Sequence, residues 1–227
     1  MLQRLLDTLL SACALIFLAP LLIPIAFALR LTGEGEIFFM QQRVGRGGEH
    51  FGLYKFATML KDSPHLGTGT VTVKDDPRVL PLGKFLRKTK INELPQLLNV
   101  LLGDMSIVGP RPQTQRCFDG FAESSQSAII KVRPGLSGIG SIIFRDEEEM
   151  MHSNRDPIYF YDQIIMPYKG QLEEWYVANQ GLKTYFTSIF VTVWVLFFSG
   201  SQLPWNAFHN LPPPPIELAS LLRWPNN

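Results

Sequence analysis

The chain has 227 residues, of which 46% are hydrophobic, and its formal net charge is only +1. This length allows one domain of ordinary size with its own core. The near-neutral charge excludes the broad basic field that would favour nucleic acid as a partner. The two cysteines, Cys13 and Cys117, are too few for a disulfide framework, and we expect both to be reduced packing residues.

An uncharged run from Leu9 to Leu29 is long enough to cross a bilayer as a helix of about 20 residues. Pro20 and Pro24 lie inside this run and predict a kink, because each proline removes a backbone donor and crowds the preceding turn. A kinked helix can enter and leave the membrane on one face. The residues therefore leave two alternatives, a re-entrant segment and a true span.

Short strands are predicted after this run. Ile37–Phe39 and Phe51–Phe56 are rich in apolar residues, and the glycine-rich turn Gly45–Gly48 predicts that they form a hairpin. Val71–Val73 is a further short segment that favours a strand.

Three cations follow at helical spacing. Lys84, Arg87 and Lys88 are placed at i, i+3 and i+4, so they share one face of the predicted helix. Such a face is often simply solvated, but beside a membrane it also suits anionic headgroups and phosphates.

The segment Lys90–Pro112, KINELPQLLNVLLGDMSIVGPRP, predicts a capped helix and a polar turn. Asn92 is a good N-cap, and Glu93 in the first turn meets the positive end of the helix dipole. Gly103 is placed to end the helix, and a Gly-Pro-Arg-Pro turn follows. The apolar face is predicted to comprise Leu94, Leu97, Leu98 and Leu101.

The C-terminal third contains three simpler segments. The acidic run Asp146–Glu149 is typical of a solvated helix start. The uncharged run Tyr185–Leu203 is short for a span and rich in aromatic residues, which favours burial at a membrane interface. The tail 204–227 has four consecutive prolines, Pro212–Pro215, and is predicted to be extended or partly disordered.

Several of these segments carry a specific resemblance. Lys90–Pro112 is similar to the signature of the bacterial sugar transferases that are monotopic phosphoglycosyl transferases. The consensus sequence of that signature is close to DELPQL followed by NVLxGDMSxVGPRP. The similarity extends to QQRVG, YKFATM, DDPRVLPLGKFLRKTK and VRPGLSG elsewhere in the chain, so it covers Leu2 to about Phe197.

The resemblance implies a fold and a location. The fold class is α+β and mostly helical, with an N-terminal membrane re-entrant helix hairpin over residues 1–36. A cytoplasmic catalytic domain over 37–203 carries amphipathic interfacial helices and a small β-hairpin, and the tail is 204–227. The implied location is the bacterial cytoplasmic (inner) membrane, with the active site facing the cytoplasm.

The resemblance also implies an activity. It is transfer of a sugar 1-phosphate from a UDP-sugar to polyprenyl phosphate, usually undecaprenyl phosphate, with release of UMP, as the first membrane step of surface polysaccharide or glycoconjugate assembly. The implied partners are the UDP-sugar, the polyprenyl phosphate and membrane lipids, with no nucleic acid and with a homodimer left open. The implied cofactor is Mg²⁺, with Mn²⁺ as an alternative.

One departure concerns the catalytic pair, because the Asp-Glu of the family is Asn92-Glu93 here. Asparagine keeps the cap and lacks the reactive oxygen of the family's nucleophile. Three alternatives follow: Glu93 is the nucleophile with metal ligation from elsewhere, the sugar phosphate passes directly to the lipid phosphate, or the chain is a catalytically impaired membrane scaffold. We favour Glu93 as the working carboxylate. The resemblance also implies that Glu93 is the metal ligand, because the second acid of the family's pair has that role.

The remaining site residues are carried over from the resembling motifs. Arg111 is the strongest candidate for a phosphate clamp, because a guanidinium matches the geometry of phosphate oxygens. A second departure, GIGSIIFRDEE at Gly138–Glu148 in place of the family's usual text, predicts altered sugar or nucleotide selectivity. The candidates for substrate and phosphate binding are Arg111, Pro112, Lys55, Arg87, Lys88 and Arg133.

Overall fold

A computed structural model describes residues 2–66, 76–152, 156–198 and 200–225. The predicted strand Val71–Val73 lies outside the described residues. The chain divides into two compact units, 1–42 with 52–103 and 43–51 with 104–227. These units do not coincide with the segments 1–36, 37–203 and 204–227. The α+β class and the predominance of helix are confirmed.

Unit 1 contains a long helix, most of a hairpin and two short helices. Its elements are α1 (Leu2–Leu31), β1 (Phe38–Val44), β2 (His50–Phe56), α2 (Pro81–Lys88) and α3 (Gln96–Leu102). β1 and β2 form a two-stranded sheet, which confirms the predicted hairpin.

Helix α1 runs without interruption through Pro20 and Pro24. The N-terminal segment is therefore one helix and not a hairpin of two helices. It tolerates the loss of the two backbone hydrogen bonds that the prolines cannot donate. The re-entrant course itself stays a prediction. Among the described residues, this is the one helix long and apolar enough to cross a membrane, which by itself is weak evidence for a span.

Both ends of α1 pack within unit 1. Near the N-terminus, the Arg4 guanidinium donates to the carbonyl oxygens of Val100 and Leu101, at the end of α3. Near the C-terminus, Leu29 lies in an apolar cluster with Phe56 and Leu86. The outer face of α1 stays exposed, with Ile16, Phe17, Ile23 and Phe27 each more than 60% accessible.

Unit 2 contains residues 43–51, at the turn of the hairpin, and the chain from Asp104 onwards. The elements of its second stretch are β3 (Ser106–Val108), α4 (Gln115–Asp119), α5 (Glu123–Ile129), β4 (Gly135–Ser137), α6 (Ile139–Ile143), α7 (Glu147–His152), α8 (Pro157–Phe160), α9 (Met166–Ala178), α10 (Leu182–Phe197), α11 (Leu203–Ala207) and α12 (Ile216–Ala219). β3 and β4 pair in parallel, with Ser106 opposite Gly135 and Val108 opposite Ser137.

Helix α10 separates a buried face from an apolar exposed face. Tyr185, Ser188, Val191 and Val195 recur at helical spacing and are buried. The opposite face is apolar and exposed, and no packed partner covers it among the described residues. It comprises Leu182, Phe186, Phe190, Val193, Trp194 and Phe197.

The C-terminal tail is packed, so the prediction that it is partly disordered is wrong for the described residues, whereas 211–215 form neither helix nor strand, as expected of an extended segment. Phe208 is buried and contacts the Trp175 ring edge-on, with 5.9 Å between the centroids. The Tyr168 hydroxyl donates to the Pro212 carbonyl oxygen at 2.7 Å. The apolar residues between and after the prolines supply enough buried surface to fix the segment; they are Leu211, Leu218 and Leu222.

Candidate functional site

The predicted cap at Asn92 is wrong. Ile91–Glu93 forms a tight 3₁₀ turn, and α3 begins only at Gln96, with Pro95 at the N-cap position. Pro95 has no N–H and cannot donate back to Ile91, so the regular α-helical ladder starts after it. Asn92 is instead buried, and its Oδ1 has no hydrogen-bond partner among the described residues. The predicted helix end at Gly103 is confirmed.

Glu93 and Lys55 form an ion pair in unit 1. The Lys55 Nζ lies 3.6 Å from the Glu93 Oε1, and the two side chains remain 19% and 17% exposed. The structure thus brings two predicted site residues together and leaves both partly accessible. An accessible pair can exchange partners with a bound substrate, whereas a sealed pair cannot.

Asn99 positions the strand that carries Lys55. Its side-chain Oδ1 accepts a hydrogen bond from the Tyr54 N–H at 3.0 Å, and its Nδ2 donates to the Gly52 carbonyl at 2.8 Å. Asn99 is fully buried and bonds the backbone of β2 as a neighbouring strand would. Sequence reasoning missed this residue, although a polar side chain within an apolar helix was a visible signal.

The cationic helix face is confirmed in part. α2 forms as predicted, with Lys84 and Lys88 exposed and Arg87 partly buried. The Arg87 Nη1 points at the Met59 sulfur, 3.7 Å away.

A buried ion pair not predicted from the sequence stabilises the loop before α2. The Arg78 guanidinium binds both carboxylate oxygens of Asp76 and also donates to the carbonyls of Ser63 and Leu66. The hydrogen bond and the charge of Asp76 raise the pKa of Arg78. This pair is structural, since its donors are directed at the protein's own backbone.

Two arginine motifs meet in unit 2. The parallel pairing of β3 and β4 places the turn Gly109–Pro112 beside the segment of Arg133, with Gly135 N–H donating to the Pro110 carbonyl at 2.8 Å. A Cβ on Gly109 would lie 2.5 Å from the Arg133 carbonyl oxygen, and one on Gly135 would lie 2.1 Å from the Gly109 nitrogen. Only glycine allows the backbones to approach this closely.

A small pocket lies against this turn, within unit 2. The Arg43 Nη1 donates to the Pro112 carbonyl at 3.3 Å, which ties the turn to the end of β1. Arg133 is not among the lining residues, whereas Arg111 and Pro112 are. The described lining comprises Val44, Gly45, Arg111, Pro112, Gln113, Phe118, Ile129, Val132 and Pro134.

Glu173 of α9 contacts the same turn and was missed by sequence reasoning. Its Oε1 accepts a hydrogen bond from the Arg111 backbone N–H at 3.3 Å. Burial raises the pKa of Glu173 to about 7, although this hydrogen bond and the positive charges of Lys169 and Arg111 lower it. Nothing in the linear sequence distinguishes Glu173 from its neighbour Glu174.

The oxygen donors near Glu93 are of the kind that Mg²⁺ accepts. Among the described residues no three metal-ligating side chains cluster, so an all-protein metal cage is not formed there. Mg²⁺ commonly takes only one or two protein oxygens and completes its shell with substrate phosphates and water. The Glu93 carboxylate and the unpartnered Asn92 Oδ1 fit such a set.

Comparison with known proteins gives consistent relatives. The chain is 37% identical over 143 residues to a UDP-N-acetylgalactosamine-undecaprenyl-phosphate N-acetylgalactosaminephosphotransferase of Aeromonas hydrophila, covering 62% of this chain and 34% of the relative. It is 37% identical over 145 residues to an undecaprenyl-phosphate glucose phosphotransferase of Komagataeibacter xylinus, covering 62% and 27%. The exopolysaccharide production protein ExoY of Sinorhizobium fredii is 34% identical over 159 residues, covering 64% and 70%.

The chain thus spans about a third of the length of the first two relatives and most of the third. The sequence pattern of the bacterial sugar transferases matches residues 1–199. That match includes the Glu93 turn, both arginine motifs and helix α9. The chain belongs to the bacterial sugar transferase family.

Proposed function

We propose that this protein transfers a sugar 1-phosphate from a UDP-sugar to undecaprenyl phosphate and releases UMP. Support comes from the family and from relatives whose names state undecaprenyl-phosphate sugar phosphotransfer. The observation that carries the proposal is the Glu93–Lys55 ion pair, a partly exposed carboxylate held beside an ammonium group.

The reaction we propose has two displacements. The Glu93 carboxylate attacks the phosphorus that bears the sugar, which forms an acyl phosphate and breaks the bond to the α-phosphate, so UMP leaves. An oxygen of the lipid phosphate then attacks the same phosphorus and restores the carboxylate. Lys55 is placed to offset the negative charge that gathers near Glu93.

Two further groups have supporting roles in this proposal. Arg111 and Arg133 bind phosphate oxygens, since each belongs to a motif of the family. Glu93, through the oxygen that does not attack, or Asn92, through Oδ1, would hold Mg²⁺, which would neutralise charge on the diphosphate. Arg87 and Lys88 are proposed to face anionic lipid headgroups.

We further propose that α1 enters the inner membrane from the cytoplasmic side without crossing it. A 30-residue helix is about 45 Å long, and a spanning helix places its ends on opposite sides of a core about 30 Å thick. Here the Arg4 end and the Leu29 end both pack against elements of unit 1. In unit 2, the apolar exposed face of α10 suits burial at a membrane surface.

The first test is nucleotide release. Purified protein in nanodiscs receives Mg²⁺, undecaprenyl phosphate and a panel of UDP-sugars, and UMP is measured. UMP from one donor supports phosphoglycosyl transfer and names the sugar. UMP from no donor, with activity appearing on Asn92→Asp, would mean that the chain keeps an intact site without its nucleophile, and would favour the alternative of a catalytically impaired family member.

Topology is tested separately. Gln3→Cys and Thr32→Cys, each in a Cys13→Ser, Cys117→Ser background, are labelled in sealed inner-membrane vesicles with a membrane-impermeant maleimide. Both positions label from the cytoplasmic side if α1 is re-entrant. Labelling of the two positions from opposite sides would show a span and contradict the proposed course.

A further inference from the structure

Glu173 is a buried acid that the proposed chemistry does not use. Glu173 is 3% exposed, and only one of its two carboxylate oxygens has a hydrogen-bond partner among the described residues. Oε1 accepts the Arg111 N–H, whereas Oε2 is buried without a hydrogen bond. A half-satisfied buried carboxylate is energetically costly, so its presence at a motif calls for a functional reason.

The space around this carboxylate is made by glycines. A Cβ on Gly140 would lie 2.5 Å from the Glu173 Oε1. A Cβ on Gly138 would lie 3.8 Å from Oε2 and 2.1 Å from the Gly109 carbonyl oxygen. The glycines that follow β4 therefore let the carboxylate and the turn Gly109–Pro112 approach each other directly.

The charged groups that act on Glu173 are few. Arg111 lies on the turn, and Lys169 lies one helical turn earlier on α9. Lys169 is engaged elsewhere, because its Nζ is 2.6 Å from Glu147 of α7 and sits over the rings of Phe144 and Tyr161. α6 and its N-cap residue face the carboxylate with glycines, Gly140 and Gly138, and α5 directs its serines at Glu174 instead. The bond that Glu173 makes is therefore the one to the turn.

We propose that Glu173 is a positioning residue for the phosphate-binding turn, which it holds through the backbone N–H of Arg111 so that the sugar diphosphate binds there. This inference rests on the proposed function. Glu173 does not touch the substrate and acts through Arg111. An ionised acceptor makes the stronger hydrogen bond, so ionisation of Glu173 tightens the turn.

The contact is tested without reference to activity. The protein is labelled with ¹⁵N-arginine, and the Arg111 amide is assigned by its loss in Arg111→Lys. Its chemical shift is expected to titrate with pH in the wild type with a midpoint near the pKa of about 7. The titration disappears in Glu173→Gln and persists in the matched control Glu174→Gln, whose carboxylate binds Ser124 and Ser125. An Arg111 amide that is indifferent to Glu173→Gln overturns the inference.

Kinetics then separate positioning from mere packing. In Glu173→Leu, which removes the acceptor, KM for the UDP-sugar is expected to rise about tenfold with a smaller change in kcat, as for loss of one hydrogen bond to a charged group. In Glu173→Gln the rise is smaller and KM no longer depends on pH. Unchanged KM in Glu173→Leu overturns the positioning role even if the amide titrates. Absence of UMP from the wild type contradicts the proposed function, while the amide titration still decides whether Glu173 holds the turn.

Discussion

The two units use a glutamate in opposite ways. In unit 1, Glu93 pairs with Lys55 and stays partly exposed, so its carboxylate remains partly accessible to a ligand. In unit 2, Glu173 is enclosed, and its pKa is raised to about 7 because burial outweighs the nearby positive charges. Exposure suits a group that reacts, and enclosure suits a group that orients a backbone. Under the two proposals, the same side chain serves chemistry at Glu93 and positioning at Glu173, according to its surroundings.

The largest expected effect falls on Glu93. Glu93→Gln removes the proposed nucleophile, and we expect UMP release to fall by at least about 100-fold with little change in melting temperature. The assay is UMP release at saturating UDP-sugar. The control Glu36→Gln changes another paired acid of unit 1, whose partner Lys61 is 3.0 Å away, and is expected to stay active. Full activity in Glu93→Gln would exclude Glu93 as the nucleophile.

For Glu173 the comparison predicts a dependence of stability on pH. Its carboxyl has an ordinary pKa of 4.5 and a folded pKa of about 7, so the folded state keeps a proton that the unfolded state loses. Stability from this group is therefore complete below about pH 4.5 and is lost as pH rises towards 7. The loss amounts to at most about 3 kcal/mol.

Glu173→Gln lacks this titration. Its free energy of unfolding relative to the wild type should therefore rise by up to about 3 kcal/mol between about pH 4.5 and 8. Denaturant unfolding at several pH values measures it, with Glu174→Gln as the matched control. A difference that stays constant with pH would show that Glu173 is not the titrating group. If Glu173→Gln is more stable than the wild type at high pH and binds the substrate less tightly, Glu173 shows the trade-off between stability and function that is typical of functional residues.

A smaller effect is expected at Asn99. Asn99→Ala leaves the Tyr54 N–H and the Gly52 carbonyl without their side-chain partners, and we expect a loss of about 2 kcal/mol in stability. UMP release should also fall, because Lys55 follows Tyr54 on β2. A mutant that melts like the wild type would contradict the anchoring of β2 by α3.

The smallest effect is expected at Asn92. An N-cap would lose roughly 0.5–2 kcal/mol on replacement by alanine, but Asn92 makes no capping bond here. Asn92→Ala removes a buried oxygen that has no hydrogen-bond partner among the described residues, so we expect the free energy of unfolding to change by less than about 1 kcal/mol. Chemical denaturation measures the free energy of unfolding. A loss of about 2 kcal/mol, as expected for an N-cap, would instead support the predicted helix start at Asn92.

Much of the local structure was predictable because local chemistry decides it. Gly103 ends α3 with a positive φ of 107°, as the sequence predicted. The hairpin of β1 and β2 followed from its glycine-rich turn and apolar flanks. The start of α3 was mispredicted, because the cap propensity of Asn92 competes with the missing N–H of Pro95, and the tight turn prevails.

The tail shows where sequence reasoning fails for a different reason. A run of four prolines by itself predicts an extended segment. The local sequence does not indicate which distant residues the segment will pack against. Tyr168 and Trp175 of α9 supply such surfaces: the Tyr168 hydroxyl donates to the Pro212 carbonyl, and the Trp175 ring contacts Phe208. Packing partners remote in sequence thus override the local expectation.

The sequence by itself determined the family, the apolar helices and the glycine-rich turns, because these depend on composition and short-range spacing. Only the tertiary structure decided which carboxylate stays accessible and which is enclosed. The pairing of β3 with β4 joins the two arginine motifs, and α9 brings Glu173 from 62 positions away to the Arg111 backbone. Burial and hydrogen bonding between distant segments set these properties, and no local pattern encodes them.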